Sequence, residues 1–442
     1  MKHSTNRRSF LKGAAAGAFP FILPSHIWSA DTKPNDRITM GFIGMGRQNR
    51  GLLNNFLGQD TQVLAVCDVD TTRRDAAKKT VDDRYKNKDC SAYNDFEDIT
   101  SRDDIDAVCI ATPDHWHAIP TLAALNNGQD VYCEKPLTHN IHEAKEVIAA
   151  VAKNKRVLQT GSMQRSSGEF RTAADLVRNG VIGSIKNVEC SFGDPGRPCD
   201  LKAEDPEPGL DWNRWCGPGP MRPYTSVLSP RGIHGHFPAW RNYKEYGGGM
   251  VCDWGAHHLD IAQWGLGRDG DGPVKVHKTD DKNNKRGCTL EYDDGITVKH
   301  VNGFGVHFHG CSGEVKVNRG RFELIVNGEV FSSYVRKKGV EDKDGSVTAA
   351  YVRAEREFLN ESSERVYKST NHIRDFLQAM RARTKPVTSE IVGGGTAIAC
   401  HLMNISYYNE TSFDWDPKKN DFANGSGKAE WLTRDYRCPY TL

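Results

Sequence analysis

The chain has 442 residues, of which 38% are apolar and 26% charged, and it contains 42 glycines. This composition is typical of globular proteins and excludes wholesale disorder. The 59 Lys and Arg residues nearly balance the 57 Asp and Glu residues, so nucleic acid held by phosphate contacts is not an expected partner. A mean hydropathy of −0.62, with no apolar run of about 18 residues, argues against a multi-span membrane protein. The length allows roughly two to three domains, and we expect a soluble, two-domain enzyme.

Two adjacent arginines near the N-terminus begin a segment with the features of an export signal. The segment is Asn6-Arg7-Arg8-Ser9-Phe10-Leu11-Lys12, and an uncharged stretch of small and weakly apolar residues follows it from Gly13 to Leu23. It resembles the twin-arginine (Tat) leader, with Asn6 where Ser or Thr is usual. The resemblance implies a leader over residues 1–30, a periplasmic protein and no stable membrane span in the mature form. Cleavage stays open, because Trp28-Ser29-Ala30 fits the small-residue rule poorly.

The 12 cysteines include no Cys-x-x-Cys pair and no zinc-like spacing, so no metal site is expected. Cys199 and Cys216 flank a Pro/Gly-rich loop and could form a disulfide in an oxidising compartment. Their spacing alone leaves the pairing open.

From Arg37 onward, strands alternate with helices. The predicted strands are Ile38–Ile43, Val63–Cys67, Ile105–Ala111 and Val131–Cys133, and helices are predicted over Arg47–Leu57 and Ala118–Asn126, with a charged helical segment after the second strand. Continuous apolar strands that alternate with helices are typical of a parallel sheet covered on both faces. We therefore expect an α/β protein with a Rossmann-type, doubly wound parallel sheet over residues 34–160.

After Leu158 the predicted strands are mostly joined without helices. They are Ile185–Phe192, Val274–His277, Cys288–Tyr292, Ile296–Val301, Glu314–Val317 and Phe322–Val326. Asp294-Gly295 is a hairpin signal between two of them. We expect residues 161–442 to form a substrate-binding and oligomerisation domain of the α+β type, built on an open, mainly antiparallel sheet.

The stretch Gly193–Gly249 is rich in Pro, Gly and Trp, and it is too long for an ordinary connection, so it predicts a functional loop. Its aromatic residues either stack on sugar rings or pack the loop's own core or a subunit interface.

A glycine turn joins the first strand to the first helix. In Gly44-Met45-Gly46 the first glycine permits the tight turn and the second lets the backbone approach a pyrophosphate, whereas Asn49 stands where the dinucleotide fingerprint has a third glycine. Asp68 ends the second strand, where an acid accepts the ribose hydroxyls of NAD and repels a 2′-phosphate. We expect NAD rather than NADP, although Arg73 and Arg74 weaken the preference. The alternative is an ordinary βα turn with a solvated aspartate.

Two motifs follow the next strands, Ala111-Thr112-Pro113-Asp114-His115-Trp116-His117 and Glu134-Lys135-Pro136-Leu137. Ligands bind at the carboxyl ends of such strands, so both motifs should border the nicotinamide. Far downstream, Gly247–Asp260 is a glycine loop followed by a helix. Within it Asp253 and His257, four residues apart, share one helix face.

This set resembles the Gfo/Idh/MocA oxidoreductases (glucose-fructose oxidoreductase, inositol dehydrogenase and relatives), which pair Glu-Lys-Pro with Gly-Gly-Gly-x-x-x-Asp-x-Gly-x-His-x-x-Asp. The resemblance runs from about Arg37 to the C-terminus and implies that Lys135, Asp253 and His257 line the reaction site. The turn, the strand ends and the resemblance together predict a cofactor site of Gly44, Met45, Gly46, Arg47, Asp68, Thr112, Pro113, His117, Glu134, Lys135, Gln164 and Arg165.

The residue types suit the oxidation of a secondary hydroxyl of a sugar, glycoside or cyclitol. His257 is the expected general base because histidine titrates near neutral pH. Lys135 would stabilise the developing alkoxide. Asp253 would orient the imidazole or hold a second hydroxyl, and its alternative role is a helix N-cap. We expect His115 and His258 to be packing or hydrogen-bonding residues.

Export would constrain the reaction, because a periplasmic enzyme meets essentially no free NAD and must keep its cofactor bound. One scheme is an oxidoreductase in which a second carbonyl compound or another acceptor takes the hydride back. The alternative is a redox glycoside hydrolase that uses NAD catalytically, and the third is a non-catalytic sugar- or NAD-binding protein. The resemblance also implies a homodimer or homotetramer.

Overall fold

The structure, a computed structural model, describes residues 36–442. The predicted leader lies outside the described residues, so the export route stays a prediction. Among residues 36–442, no helix combines the length and the apolar character that crossing a bilayer requires.

The first sheet has six parallel strands in the order β3-β2-β1-β4-β5-β6. The strands are β1 (Ile38–Ile43), β2 (Thr61–Cys67), β3 (Ser91–Tyr93), β4 (Ala107–Ile110), β5 (Asp130–Cys133) and β6 (Leu158–Thr160). The helices between them are α1 (Arg47–Leu57), α2 (Thr71–Tyr85), α3 (Glu97–Thr100), α4 (Ala118–Asn126) and α5 (Ile141–Asn154). Every residue of β4 and β5 is buried, as expected for strands covered on both faces. The doubly wound prediction is confirmed.

The second sheet has ten strands in the order β14-β13-β12-β11-β7-β10-β9-β8-β15-β16. They are β7 (Ile185–Ser191), β8 (Lys275–His277), β9 (Thr289–Glu291), β10 (Thr297–Val301), β11 (Val306–Gly310), β12 (Gly313–Asn318), β13 (Arg321–Val326), β14 (Glu329–Tyr334), β15 (Phe413–Asp416) and β16 (Asp421–Phe422). β7 and β10 pair in parallel, and the remaining pairs are antiparallel. This confirms the mainly antiparallel sheet and the hairpin at Asp294-Gly295, where Gly295 has a φ of +81°.

The later helices are α6 (Gly168–Arg178), α7 (Trp212–Cys216), α8 (Gly249–Asp253), α9 (Gly255–Leu266), α10 (Val347–Phe358), α11 (His372–Ala382) and α12 (Glu390–Asn409). α6, α9 and α12 cover the apolar face of the second sheet. α11 instead packs into the core of the first sheet, where the Phe376 ring lies 5.8 Å from the Tyr132 ring. A segment far along the chain therefore completes the first core.

Strand alternation gives the second sheet two different faces. On β7 and β11, Val188, Cys190, Val306 and Phe308 point into the core and are fully buried, while the intervening side chains are polar and partly exposed. The outer face of the sheet is thus mainly polar. The oligomer stays a prediction.

Candidate active site

A cavity of about 800 Å³ lies at the carboxyl ends of the strands of the first sheet. Ile43, Asp68, Thr112, Glu134 and Gly161, which end or follow β1, β2, β4, β5 and β6, line it. Residues from the long loop, α8, α9 and the β12–β13 turn close the other side. This is where the strand-end rule places ligands in such a sheet.

The glycine turn after β1 has the shape that a dinucleotide needs. Gly44 has a φ of +81°, and a Cβ there would meet the Thr112 backbone nitrogen at 2.9 Å. A Cβ on Gly46 would meet nothing within 4 Å, so the backbone is open to the cavity at the start of α1. Free N–H groups at that helix end attract a phosphate.

Asn49 replaces the third fingerprint glycine without loosening the packing. Its side chain is fully buried, and its Nδ2 donates to the Ile43 carbonyl at 3.1 Å. The Cys109 thiol donates to its Oδ1 at 3.3 Å. The amide therefore ties α1 to β1 and β4 with hydrogen bonds where a glycine would allow direct contact.

The Asp68 carboxylate is held beside the turn by backbone groups. The Met45 N–H donates to Oδ2 at 2.6 Å and the Asp70 N–H to Oδ1 at 2.8 Å. Asp68 is 8% exposed and lines the cavity, and burial raises its pKa. Gly44, Gly46 and Asp68 form what we call the glycine end of the cavity.

The two arginines near Asp68 are engaged elsewhere. Arg73 donates to Ser229 Oγ at 3.2 Å and also to the Pro230 carbonyl, and Arg74 donates to Asn94 Oδ1 at 3.0 Å. Both guanidinium groups are therefore committed to protein acceptors.

Most of the predicted cofactor residues border the cavity. Those that line it are Gly44, Gly46, Arg47, Asp68, Thr112, Pro113, His117, Glu134, Lys135 and Gln164. Met45 reaches Asp68 through its backbone, and its side chain belongs to the core. His117 lines the cavity, but both of its ring nitrogens lie on carbonyls, those of Pro136 at 2.7 Å and Thr112 at 3.0 Å.

Arg165 is the predicted cofactor residue that the structure places away from the cavity. Its guanidinium is 2% exposed and lies between two carboxylates, donating to Asp260 at 2.9 Å and to Asp269 at 2.7 Å. Two acids at hydrogen-bond distance hold the side chain inside the fold, and it is not among the residues that line the cavity. Its neighbour Gln164 faces the cavity instead.

Lys135 and Asp253 meet at the other end of the cavity. The Lys135 Nζ donates to the Asp253 carboxylate and to the Asp253 carbonyl at 3.2 Å, and Arg241 Nε lies 3.4 Å from the same carboxylate. Burial alone would raise the pKa of Asp253, but the charges of Lys135 and Arg241 outweigh it and lower the pKa. Asp253 therefore positions Lys135, and it is neither a helix cap nor bonded to the His257 ring.

His257 and Asp253 both face the cavity although their helix is divided at Trp254. The chain stays helical through Trp254, whose carbonyl accepts the N–H of His257 at 3.0 Å. His257 Nε2 accepts a hydrogen bond from Arg319 Nη2 at 3.0 Å. Because arginine has no acceptor atom, Nε2 carries the lone pair and the neutral ring bears its proton on Nδ1.

The surroundings keep His257 uncharged. Burial, followed by the charges of Lys135 and Arg319, lowers the pKa of His257 well below its ordinary value. The ring is therefore a neutral proton acceptor, and the same burial and the two cations that keep it neutral also make it a weaker base than an exposed histidine. Lys135, Arg241, Asp253, His257 and Arg319 form what we call the charged end of the cavity.

Arg319 comes from the β12–β13 turn and carries no motif. It also donates to Gln164 Oε1 at 3.2 Å and lies 4.7 Å from the Trp254 ring centroid. Among residues 36–442 no carboxylate lies within ion-pair distance of it, and burial lowers its pKa. Sequence reasoning missed it because a lone arginine in a hairpin turn gives no signal.

Asp114 belongs to the motif that follows β4 but is not among the predicted site residues. Its carboxyl is 3% exposed and lines the cavity, and burial raises its pKa to about 8 against the opposing charges of Arg241 and Lys135. It is therefore largely a neutral acid at pH 7.

The aromatic residues of the 193–249 stretch form a core of their own. Trp212 and Trp215 stack with ring centroids 4.5 Å apart, and both are less than 10% exposed. Phe237, which is 50% exposed, lines the cavity. Cys199 and Cys216 are buried in the same cluster as free thiols. Trp215, Phe237 and Trp240 line the cavity as well, so packing of the loop does not decide between the alternatives for these aromatics.

Unpartnered polar atoms show that the cavity suits a polar ligand. Among residues 36–442, the buried atoms Thr112 Oγ1, Gln164 Nε2 and His257 Nδ1 have no hydrogen-bond partner, and all three residues line the cavity. Buried polar groups of this kind are normally satisfied. The open backbone at Gly46 and the Asp68 carboxylate complete a lining that fits a dinucleotide beside a hydroxylated substrate.

A parallel sheet with a glycine turn, an acid after β2 and a charged end beside the nicotinamide position defines a dinucleotide-binding oxidoreductase. Residues 38–162 match the oxidoreductase family Gfo/Idh/MocA, NAD-binding Rossmann fold, and residues 192–442 match the C-terminal alpha/beta domain of the same family. The chain belongs to the Gfo/Idh/MocA oxidoreductase family, as the motifs predict.

Individual relatives differ in the activity that their names state. A glycosyl hydrolase family 109 protein of Shewanella pealeana is 26% identical over 210 residues, 42% of this chain and 46% of the relative. An inositol 2-dehydrogenase of Salmonella paratyphi B is 34% identical over 147 residues, 33% of this chain and 41% of the relative. The chain thus spans less than half the length of these relatives.

Among solved structures, an aldose-aldose oxidoreductase from Caulobacter crescentus in complex with glycerol superposes with a TM-score of 0.55. The match is 17% identical and covers 86% of this chain and 99% of that chain. This similarity shows the shared fold.

Proposed function

We propose that this protein oxidises a secondary hydroxyl of a sugar, glycoside or cyclitol with NAD, and that it keeps the cofactor bound between turnovers. The observation that carries the proposal is one continuous cavity with a dinucleotide-shaped glycine end and a charged end holding Lys135 and His257. The inositol 2-dehydrogenase and aldose-aldose oxidoreductase similarities support this class of substrate.

The glycine end favours NAD over NADP. The Asp68 carboxylate has both oxygens held toward the turn by backbone N–H groups, and each oxygen keeps a lone pair for a ribose hydroxyl. The guanidinium groups of Arg73 and Arg74, which a 2′-phosphate would need, are already bonded. Bound NAD would supply a hydride acceptor for the carbinol carbon.

At the charged end, His257 takes the hydroxyl proton. Its low pKa keeps the ring neutral, and its lone pair is on Nε2, where Arg319 donates. The substrate hydroxyl must therefore replace Arg319 at Nε2, and the displaced guanidinium can then bind a neighbouring substrate oxygen. Its contacts with uncharged groups, Gln164 and the Trp254 ring, leave it free to do so.

Lys135 stabilises the oxygen that loses the proton. Asp253 holds the ammonium at the cavity wall, and Arg241 shares that carboxylate, so the Lys135 charge is only partly neutralised. A fixed ammonium beside a developing alkoxide acts as an oxyanion site.

Retention of the cofactor follows from the export that the Tat-type leader predicts, because free NAD is scarce outside the cytoplasm. Each cycle then needs a second carbonyl compound or another acceptor to take the hydride back.

The test is to purify the protein from its exported fraction, identify the bound nucleotide by mass spectrometry and add candidate sugars. We expect bound NAD, a rise in near-ultraviolet NADH absorbance on adding the donor substrate alone, and its loss when a carbonyl acceptor follows. A protein that copurifies with no nucleotide and binds none on addition would contradict the proposal.

A redox glycoside hydrolase is the second candidate, and the glycosyl hydrolase family 109 relative favours it. In that reaction the hydroxyl is oxidised transiently, the aglycone is eliminated, and rereduction leaves NAD unchanged. Free aglycone without net NADH would select this candidate, and a keto-sugar would select the first.

A further inference from the structure

A second cluster of chemically active side chains lies outside the cavity, on the outer face of the second sheet. His307 and His309 are alternate residues of β11, so both point to that face, and their rings lie 3.6 Å apart. Glu189 on β7 is opposite His307, and Glu314 on β12 is opposite His309. The sheet therefore places two imidazoles between two carboxylates.

Three donor atoms of this cluster converge on one point. Glu189 Oε2 lies 3.3 Å from His309 Nε2 and 3.7 Å from His307 Nδ1, and one ligand atom from each of the three residues lies within 4.8 Å of the others. Tetrahedral zinc with bonds of about 2.0–2.1 Å sets its ligand atoms roughly 3.4 Å apart. The two distances from Glu189 Oε2, 3.3 Å and 3.7 Å, are close to this value.

The remaining ring nitrogens show how the imidazoles are oriented. His307 Nε2 lies 2.9 Å from Glu314 Oε2, and His309 Nδ1 lies 3.8 Å from the other oxygen of the same carboxylate. A metal-binding histidine normally donates its second N–H to a carboxylate, and His307 is at hydrogen-bond distance from Glu314 for this, whereas His309 lies slightly beyond it. His309 Nε2, which faces Glu189, is buried and has no hydrogen bond of good geometry.

The ammonium group of Lys316 does not occupy the space between the three donor atoms. Lys316 Nζ lies 2.8 Å from Glu323 Oε1 and farther, 3.6 Å, from Glu314. Glu189 and His307 also line a hollow of about 700 Å³ on this face of the sheet.

We propose that Glu189, His307 and His309 bind one divalent transition-metal ion, with zinc as the expected ion, and that Glu314 orients the His307 imidazole. The donor set of two imidazoles and a carboxylate suits zinc and related ions. The cysteine spacing, which predicts no metal, carries no information about this site, because its ligands come from neighbouring strands.

The test uses the untagged full-length protein, stripped with a chelator and dialysed. Cobalt(II) chloride is added while the visible absorbance is followed, and zinc bound after equilibrium dialysis is counted by elemental analysis. We expect one equivalent of metal per chain, and an increase in the melting temperature with zinc. Binding of less than about a tenth of an equivalent would overturn the proposal.

Variants separate a built site from incidental histidine binding. His309→Ala and Glu189→Gln should abolish the cobalt absorbance, and Glu314→Gln should weaken binding roughly 10- to 100-fold. The matched control is His277→Ala, which removes a half-exposed histidine paired with Glu291 on the same sheet and should bind normally. Circular dichroism of each metal-free variant shows that it is folded. Unchanged binding in both His309→Ala and Glu189→Gln would overturn the proposal.

Discussion

The two ends of the cavity are built in different ways. The glycine end uses backbone groups and one acid from two successive β–α units, so a short stretch of sequence contains nearly all of it. The charged end gathers side chains from strand β5, the long loop, helices α8 and α9 and the β12–β13 turn. A motif can therefore describe the first end, whereas the second depends on which charges the tertiary fold brings together.

The largest effect should come from the charged end. His257→Ala and Lys135→Ala should each lower kcat roughly 100- to 10,000-fold, because one removes the proton acceptor and the other the stabilising ammonium. The measurement is turnover of the donor sugar with NAD-loaded protein. His142→Ala, on α5 outside the cavity, is the control. Near-normal turnover in both variants, with bound NAD intact, would show that the charged end is not the reaction site.

The glycine end should govern affinity rather than turnover. Asp68→Asn removes a charged acceptor of the ribose hydroxyls, and a hydrogen bond to a charged group accounts for about 1.5–3 kcal/mol. We expect NAD to bind roughly 10- to 100-fold more weakly, with less discrimination against NADP, as measured by nucleotide titration of the stripped protein. Asp75→Asn, on the exposed side of α2, should bind like the wild type. Equal NAD affinity in Asp68→Asn and the wild type would refute the ribose role.

Sequence reasoning predicted the two ends unequally, for physical reasons. The turn, Asp68, Lys135, Asp253 and His257 could be found because each stands at a strand end or in a spaced motif. The partners of these residues could not be found in the same way. Arg319, which binds His257, follows β12 in an ordinary hairpin turn and belongs to no motif.

The same limit applies to the fold. In β11 only Val306 and Phe308 supply the apolar positions of an alternating pattern, and two such residues were too few to predict the strand. The packing of α11 on the first sheet joins residues too distant in sequence for any local pattern to reveal. Arg165 was predicted at the cofactor from the family resemblance, and no local pattern reveals the two acids that bind it, because Asp260 and Asp269 lie about a hundred residues away.

Arg319 offers a finer test of the charged end. Its charge lowers the pKa of His257, so Arg319→Gln should raise that pKa and move the acidic limb of the kcat/KM profile upward by roughly one pH unit. Arg319→Lys keeps a cation there and should restore much of the wild-type profile. Arg321→Gln, two residues along and exposed, is the control. If the acidic limb of the kcat/KM profile stays at the same pH in Arg319→Gln, a group other than His257 is responsible for it.

A separate effect should be on stability, through Asp114. Burial raises the pKa of this carboxyl to about 8 in the folded protein, against an ordinary value of 3.8 in the unfolded chain. The folded state therefore favours the protonated acid, so this contribution to stability is complete below pH 4 and is lost as the pH rises to 8. Asp114→Asn removes this loss of stability at higher pH, because the asparagine amide is uncharged throughout this range.

Urea unfolding at several pH values measures how the stability difference between Asp114→Asn and the wild type depends on pH. The gain in the free energy of unfolding of Asp114→Asn over the wild type should grow between pH 5 and pH 8 and then level off, while the exposed control Asp103→Asn should show no such trend. A gain that is the same at every pH would mean that Asp114 is ionised in the folded protein. The charged end would then hold two carboxylates, those of Asp114 and Asp253, against Lys135 and Arg241, and the ammonium would have less charge to offer an alkoxide.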